Sequence, residues 1–122
     1  MARRAYQGRD DMGIYTGKLP RSLGFLVVDL VADYDRREEE LRRSRMGKAI
    51  LRRYDDLNRA IDGAIDAVYR GEIDAAKRAM RRDIARRRGY LNCESKQWMS
   101  EGMFYRRKKW CKREIAERMG WI

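Results

Sequence analysis

The sequence contains no histidine, only two cysteines and a single proline among its 122 residues. Without histidine it lacks the side chain that most often serves as a general base near neutral pH. Cys93 and Cys111 show no pairing pattern, and they cannot complete a zinc site without further ligands. Carboxylates occur singly or in runs such as residues 38–40, and no nucleophile has an obvious partner. We therefore expect no enzyme, no metal site and no cofactor.

Long apolar runs are also missing. The most apolar stretch, residues 24–28, ends at Asp29, far short of the roughly 20 residues that a membrane-spanning helix needs. The first residues lack the apolar core of a signal peptide, and two unpaired cysteines are typical of a reducing compartment. We therefore expect a cytoplasmic protein with no membrane partner.

Positive charge, by contrast, is abundant. Lysine and arginine number 30 against 19 acidic residues, which gives a formal net charge of +11. Such an excess attracts polyanions, nucleic acid foremost among them. Arginine is the commoner cation, and its forked guanidinium suits phosphate oxygens and guanine edges better than a point charge does.

The apolar residues recur at helical spacing, and no strand period is visible, so we predict an all-α fold. Residues 1–18 show no period and are predicted to form a flexible arm. Residues 19–122 are predicted to form a single all-helical domain. Two long helices with a short connector at Gly47 should pair as an antiparallel hairpin over residues 19–71. The remainder, residues 72–122, is predicted to be a basic part resembling a helix-turn-helix.

Three residues interrupt the apolar pattern of the hairpin. Arg37 leaves a gap in the buried stripe of the first helix. Asn58 lies in the seam of the second helix and could fix its register through a polar partner. Gly63 could permit close approach of a neighbour, at a cost in helix propensity of about 1 kcal/mol.

The third predicted helix follows Gly71 and should end at Gly89. Its buried edge is predicted to contain Ile73, Ala76, Met80 and Ile84. Its other side is crowded with cations, whose mutual repulsion costs helix stability. We expect these cations to hold the phosphate backbone of a nucleic acid, and the alternative is a solvated surplus of arginine. The predicted backbone contacts are Arg78, Arg81, Arg82 and Arg86.

The last predicted helix begins after Ser100, a suitable N-cap, and stops near Gly120. Its buried stripe should contain Phe104, Cys111, Ile115 and Met119. The opposite side carries an aromatic ring and four cations, a combination that suits the DNA major groove. The alternative is an amphipathic helix with a solvated basic face. The residues predicted on this basic face are Tyr105, Arg106, Lys109, Lys112 and Arg113.

Two segments of this helix resemble a known family. Residues 100–109, Ser-Glu-Gly-Met-Phe-Tyr-Arg-Arg-Lys-Lys, and residues 114–120, Glu-Ile-Ala-Glu-Arg-Met-Gly, are similar to the second half of a helix-turn-helix of the sigma-region-4 type. The similarity is to phage late-gene regulators of the RinA and ArpU type. The chain departs from that pattern at Met103, where threonine or serine is usual, and at Met119, where leucine is usual.

The resemblance implies a phage or prophage transcriptional regulator that binds double-stranded DNA in the bacterial cytoplasm. Host RNA polymerase is the further partner that it implies. By position, Tyr105, Arg106, Lys109 and Arg113 would face bases and phosphates from the recognition helix.

Two other functions fit a small basic protein of this kind. One is inhibition of a host nucleic-acid machine, such as a CRISPR nuclease or RNA polymerase, with the cations bound to an acidic protein surface. The other is DNA packaging by a small terminase-like subunit, which would form a homo-oligomer.

Overall fold

The computed structural model describes residues 19–122, and every regular element in that part of the chain is helical. This confirms the all-α prediction for the described residues, while the predicted arm, residues 1–18, lies outside them. Two single 3₁₀ turns, Tyr90–Asn92 and Ser95–Gln97, precede the last helix. Residues 19–122 contain five α-helices: α1 (Arg21–Ala32), α2 (Tyr34–Arg43), α3 (Lys48–Val68), α4 (Asp74–Ala85) and α5 (Glu101–Arg118).

The first predicted helix is interrupted at Asp33, which separates α1 from α2. Arg37, the gap in the apolar stripe, is only 3% exposed. Its guanidinium donates to the carbonyl of Leu30 near the end of α1, and its Nε donates to Asn58 Oδ1 on α3 at 2.7 Å. The last carbonyls of a helix need such donors because no following turn supplies them. The position that interrupts the apolar stripe therefore holds a buried arginine whose hydrogen bonds join α1, α2 and α3.

Asn58 has the polar partners that the sequence pattern suggested. Besides accepting from Arg37, its Nδ2 donates to the carbonyl of Tyr34 at 3.2 Å and to Glu38 Oε2 at 2.8 Å. Tyr34 also donates its hydroxyl proton to Asp62 Oδ2 at 2.9 Å. Tyr34, early in α2, contacts Asp62, whereas Glu38, later in α2, contacts Asn58, which comes earlier in α3 than Asp62. The two helices therefore run in opposite directions along their contact.

We predict that Asn58 and Arg37 are energetically coupled. Asn58→Ala should lower the free energy of unfolding by about 2 kcal/mol, because it leaves part of a buried guanidinium without its acceptor. The double variant Arg37→Leu/Asn58→Leu should cost less than the sum of the two single leucine variants, because it removes both polar groups together. Urea unfolding of the wild type, the two single leucine variants and the double variant measures the coupling, and strictly additive losses would contradict it.

The core forms where α5 packs against α1 and α3, and α4 joins it by packing on the same two helices. Phe104, Cys111 and Ile115 are fully buried, as predicted, and Met119 packs against them with part of its surface exposed. The Ser100 hydroxyl accepts a hydrogen bond from the backbone N–H of Met103 at 3.3 Å, which is the predicted N-cap. The core partners of the buried α5 side chains include Val27, Val31, Ile61, Ile65, Met80 and Ile84.

Two predictions about the third helix are wrong. α4 ends at Ala85 rather than Gly89, and Ile73 is exposed because it precedes the first turn of α4. The backbone N–H of Arg87 donates to the Ile84 carbonyl, and that of Arg88 donates to the carbonyl of Asp83. These two bonds form a Schellman motif, which satisfies the last carbonyls of a helix. Its left-handed position, where glycine is usual, is occupied by Arg87, with φ of 54°.

The segment before α5 differs from a regular helix-turn-helix. A short turn joins the two helices of that motif, whereas residues 86–100 separate α4 from α5 and contain only the two 3₁₀ turns as regular elements.

Gly63 was predicted to allow a neighbour to approach closely. Its neighbour is a side chain rather than the backbone of another helix. A Cβ atom at Gly63 would lie 2.8 Å from Nη1 of Arg118, the end of a flexible side chain on α5.

Candidate nucleic-acid interface

The arginines of α4 that were predicted to hold phosphate are largely engaged within the protein. Arg82 makes a forked contact with Glu94, at 2.9 Å from Nε and 2.7 Å from Nη2. Arg86 lies 3.6 Å from the same carboxylate, and Arg88 reaches it at 2.8 Å. The Glu94 carboxylate, between α4 and α5, therefore pairs with three arginines, of which Arg82 and Arg86 belong to the predicted set.

Asp83 anchors the same segment from the buried side of α4. Its side chain is fully buried and accepts hydrogen bonds from the backbone N–H groups of Glu94 and Ser95, at 2.9 and 3.0 Å. It also accepts from Ser95 Oγ at 2.7 Å and forms an ion pair with Arg88 at 3.1 Å. Asp83, Glu94 and their partners, called here the Asp83–Glu94 network, hold the 3₁₀ turns against α4. The density of arginine on α4 is thus partly a folding requirement.

The ion pairs of Glu94 predict how stability responds to acid. Hydrogen bonds from Arg82 and then Arg88 lower the pKa of the Glu94 carboxyl from 4.5 to about 2. A carboxyl whose pKa falls on folding stabilises the protein above its unfolded pKa, and this contribution is lost as the pH falls through the folded value. The side chain is 31% exposed, so we expect a contribution of about 1 kcal/mol.

Urea unfolding of the wild type and of Glu94→Gln at pH 6, 4 and 2.5 measures this contribution. The wild type should be the more stable at pH 6, and the difference should shrink as the pH drops from about 4.5 toward 2. Other carboxylates titrate equally in both proteins, so their effect cancels in the difference. A difference that stays constant with pH would show that the Glu94 pairs contribute nothing.

Arg81 and Arg78 lie on the side of α4 that faces α2 and α3. Arg81 stacks over the Tyr34 ring, 4.0 Å from its centroid, and pairs with Asp35 at 3.1 Å, which leaves 12% of its side chain exposed. Arg78 is exposed and borders a cavity of about 310 Å³ that also contains Asp62 and other carboxylates. Arg81 is therefore engaged, and Arg78 stands beside negative charge.

The basic face predicted on α5 is exposed mainly in its first half. Tyr105 is 46% exposed and Arg106 is also exposed, whereas Lys109, Lys112 and Arg113 are half-buried. Residues 102–113 contain six lysines and arginines and no carboxylate. Of the four adjacent cations at residues 106–109, Arg107 turns inward to Glu72 at 3.2 Å. Recognition helices commonly read bases with their N-terminal residues, which is the part of α5 that remains accessible.

A groove between α1 and α5 extends this face. It encloses a cavity of about 390 Å³ lined by Tyr105, Lys108, Lys109 and Lys112 of α5, and by Leu19, Arg21, Gly24 and Phe25 from the N-terminal side. This cavity is called here the α1–α5 groove. The structure thus brings together Tyr105, Lys109 and Lys112 from the predicted site. It adds Lys108, Arg21 and Phe25, which helical periodicity had not singled out because only the packing of α1 on α5 reveals them.

Two half-buried lysines of the groove, Lys108 and Lys112, have lowered pKa values. Burial is the main cause that lowers the pKa of both Lys108 and Lys112, and each is lowered further by a neighbouring cation. Lys108 Nζ donates to the backbone carbonyl of Arg88 at 2.8 Å. Within residues 19–122, neither lysine forms an ion pair with a carboxylate. A bound polyanion would favour the charged form of both side chains.

Comparisons with known proteins assign the chain to no family. No protein-family model, no curated protein and no solved structure matches the chain. No helix within residues 19–122 combines the length and apolar character needed to cross a membrane. In the same residues, no three acidic or cysteine side chains are grouped as metal ligands. The resemblance of residues 100–109 and 114–120 to RinA- and ArpU-type regulators therefore stays a prediction.

Proposed function

We propose that this protein binds double-stranded DNA and regulates transcription in a phage or prophage, with α5 as its recognition helix. The observation that carries the proposal is the first half of α5, where Tyr105 and Arg106 are exposed in a stretch with six cations and no carboxylate. The buried stripe at Phe104, Cys111 and Ile115 fixes that face relative to the rest of the domain. The family resemblance supports the regulatory part of the proposal.

We assign the predicted site residues to three roles, guided by their exposure and contacts. Arg106, which is exposed and carries a forked donor, is assigned to base edges, where arginine discriminates guanine. Lys109 and Lys112, on the edge that borders the α1–α5 groove, are assigned to backbone phosphates, which set register without reading sequence. Arg81 and Arg82 are assigned to stability, since both are engaged with carboxylates. Arg78 and Arg86 remain candidates for backbone contacts.

A selection from random DNA duplexes at near-physiological salt tests the proposal. We expect an enriched sequence motif, and we expect the affinity for it to fall steeply as salt rises, because each phosphate contact releases about 0.9 of a counterion. A flat selection would contradict sequence reading. A pull-down from nuclease-treated bacterial lysate tests the polymerase contact, because a protein partner survives that treatment and a DNA bridge does not.

A further inference from the structure

The α1–α5 groove continues into a second cavity. This second cavity, of about 200 Å³, shares Phe25, Lys108 and Lys112 with the groove and adds Val28, Ile84 and Arg87. The groove itself, at about 390 Å³, has the size of a small-molecule site. Together the two cavities form a recess with an apolar floor and a cationic wall, a pattern that suits a ligand with one flat apolar part and one anionic part.

Cationic side chains border both cavities of the recess. Lys108, Lys112 and Arg87 border the smaller cavity together. Among residues 19–122, these three cations form one ion pair with a carboxylate outside α4, between Arg87 and Asp29 at 3.1 Å. Within that part of the chain the wall therefore keeps a net positive charge, which a doubly charged anion would neutralise.

Arg87 also occupies a costly backbone position. Its φ of 54° places it in the left-handed region, where the Schellman motif usually has glycine. A side chain other than glycine is disfavoured in this conformation. Arg87 places at the wall of the recess a guanidinium, paired with Asp29, that glycine would lack.

Two exposed aromatic rings line the same recess. Phe25, which borders both cavities, is 50% exposed, and Tyr105, which borders the larger one, is 46% exposed. The Tyr105 hydroxyl accepts a hydrogen bond from the backbone N–H of Tyr90 at 3.1 Å, which fixes the direction of the ring. Arg21 lies over the Phe25 ring at 5.7 Å. Exposed rings beside cations are the arrangement with which proteins hold unpaired bases.

We propose that this recess binds a single nucleotide unit, with its phosphate at Lys108, Lys112 and Arg87 and its base against Phe25 or Tyr105. The inference goes beyond duplex reading, because it requires a nucleotide whose base is unpaired. The shared chemistry is a nucleoside phosphate, which can come from a free nucleotide or from the phosphorylated end of a nucleic-acid strand.

Titration of the full chain with deoxyadenosine monophosphate, followed by calorimetry, tests the inference. We expect saturable binding of the nucleotide and binding at least about tenfold weaker for deoxyadenosine, which lacks the phosphate. Short single strands with and without a 5′ phosphate distinguish the two sources. Tight binding of the phosphorylated strand alone assigns the recess to strand ends, and saturation by the free nucleotide assigns it to a small effector.

Two variants locate the bound nucleotide. Lys112→Met removes the charge while keeping most of the side-chain length, and it should weaken nucleotide binding by about tenfold or more. Lys48→Met, at an exposed position near the start of α3, should leave nucleotide binding unchanged. Circular dichroism checks that Lys112→Met folds. If it does not fold, Phe25→Leu, which removes one of the two aromatic rings proposed to hold the base, replaces it as the test variant. Absence of saturable binding, or equal losses in both lysine variants, would overturn the inference. The duplex selection is a separate readout, because its sequence motif depends on Arg106, whereas Lys112→Met removes a proposed phosphate contact and should leave the motif unchanged.

Discussion

Replacement of Asp83 by alanine is expected to lower the free energy of unfolding by about 3–5 kcal/mol. The carboxylate is fully buried and accepts three hydrogen bonds from Glu94 and Ser95, besides its ion pair with Arg88. Alanine leaves these donors without their acceptor in a region closed to water, and each unsatisfied group carries its own desolvation cost. The loss is comparable to the total stability of a small domain.

Asp74→Ala is the matched control, because Asp74 is also an aspartate of α4 but its side chain is 83% exposed. We expect the control to cost less than about 1 kcal/mol, the usual value of a carboxylate in the first turn of a helix. Urea unfolding followed by circular dichroism measures both variants. Equal losses in Asp83→Ala and Asp74→Ala would mean that the Asp83–Glu94 network does not hold the 3₁₀ turns in place.

The double variant Arg106→Gln/Lys109→Gln is expected to weaken binding to duplex DNA by about 10- to 100-fold at near-physiological salt. Glutamine retains polar character and much of the side-chain length while it removes two positive charges. If both residues contact phosphates, the slope of log affinity against log salt should fall by about 1.8; if Arg106 reads a base edge, the slope should fall by about 0.9 and the sequence preference should relax.

Arg52→Gln/Arg53→Gln is the control for net charge, because both residues are exposed on α3, away from the α1–α5 groove. Fluorescence anisotropy with a labelled duplex, repeated at several salt concentrations, gives affinity and slope for each protein. If the control loses as much affinity as the α5 variant, overall charge rather than α5 governs binding.

Sequence periodicity predicted those features of the fold that depend on burial of one helix face. The stripe of Phe104, Cys111 and Ile115 could be found because a helix places residues at three- and four-residue spacing on one side. Ser100 could be found because N-capping depends on the residue itself and on the turn that follows. Both features are local to α5, so no tertiary contact was needed to infer them.

The features that periodicity missed depend on partners distant in the chain. A solvated arginine and one paired with a carboxylate look identical in sequence, so the contacts of Arg82 with Glu94 and of Arg37 with Asn58 became visible only in the fold. The end of α4 was misjudged because Arg87, rather than Gly89, takes the left-handed position. The α1–α5 groove was missed because Phe25 and Lys108 meet only when α1 packs on α5.

Acetylation of lysines in the presence and absence of duplex DNA, quantified by mass spectrometry, most directly tests whether DNA lies on α5 and the adjoining groove. Lys48 and Lys96 are exposed elsewhere and serve as internal references. We predict that the duplex slows modification of Lys109 and Lys112 several-fold and leaves Lys48 and Lys96 unchanged. Protection of Lys48 or Lys96 without protection of Lys109 and Lys112 would place the DNA on a different surface and contradict the assignment of α5.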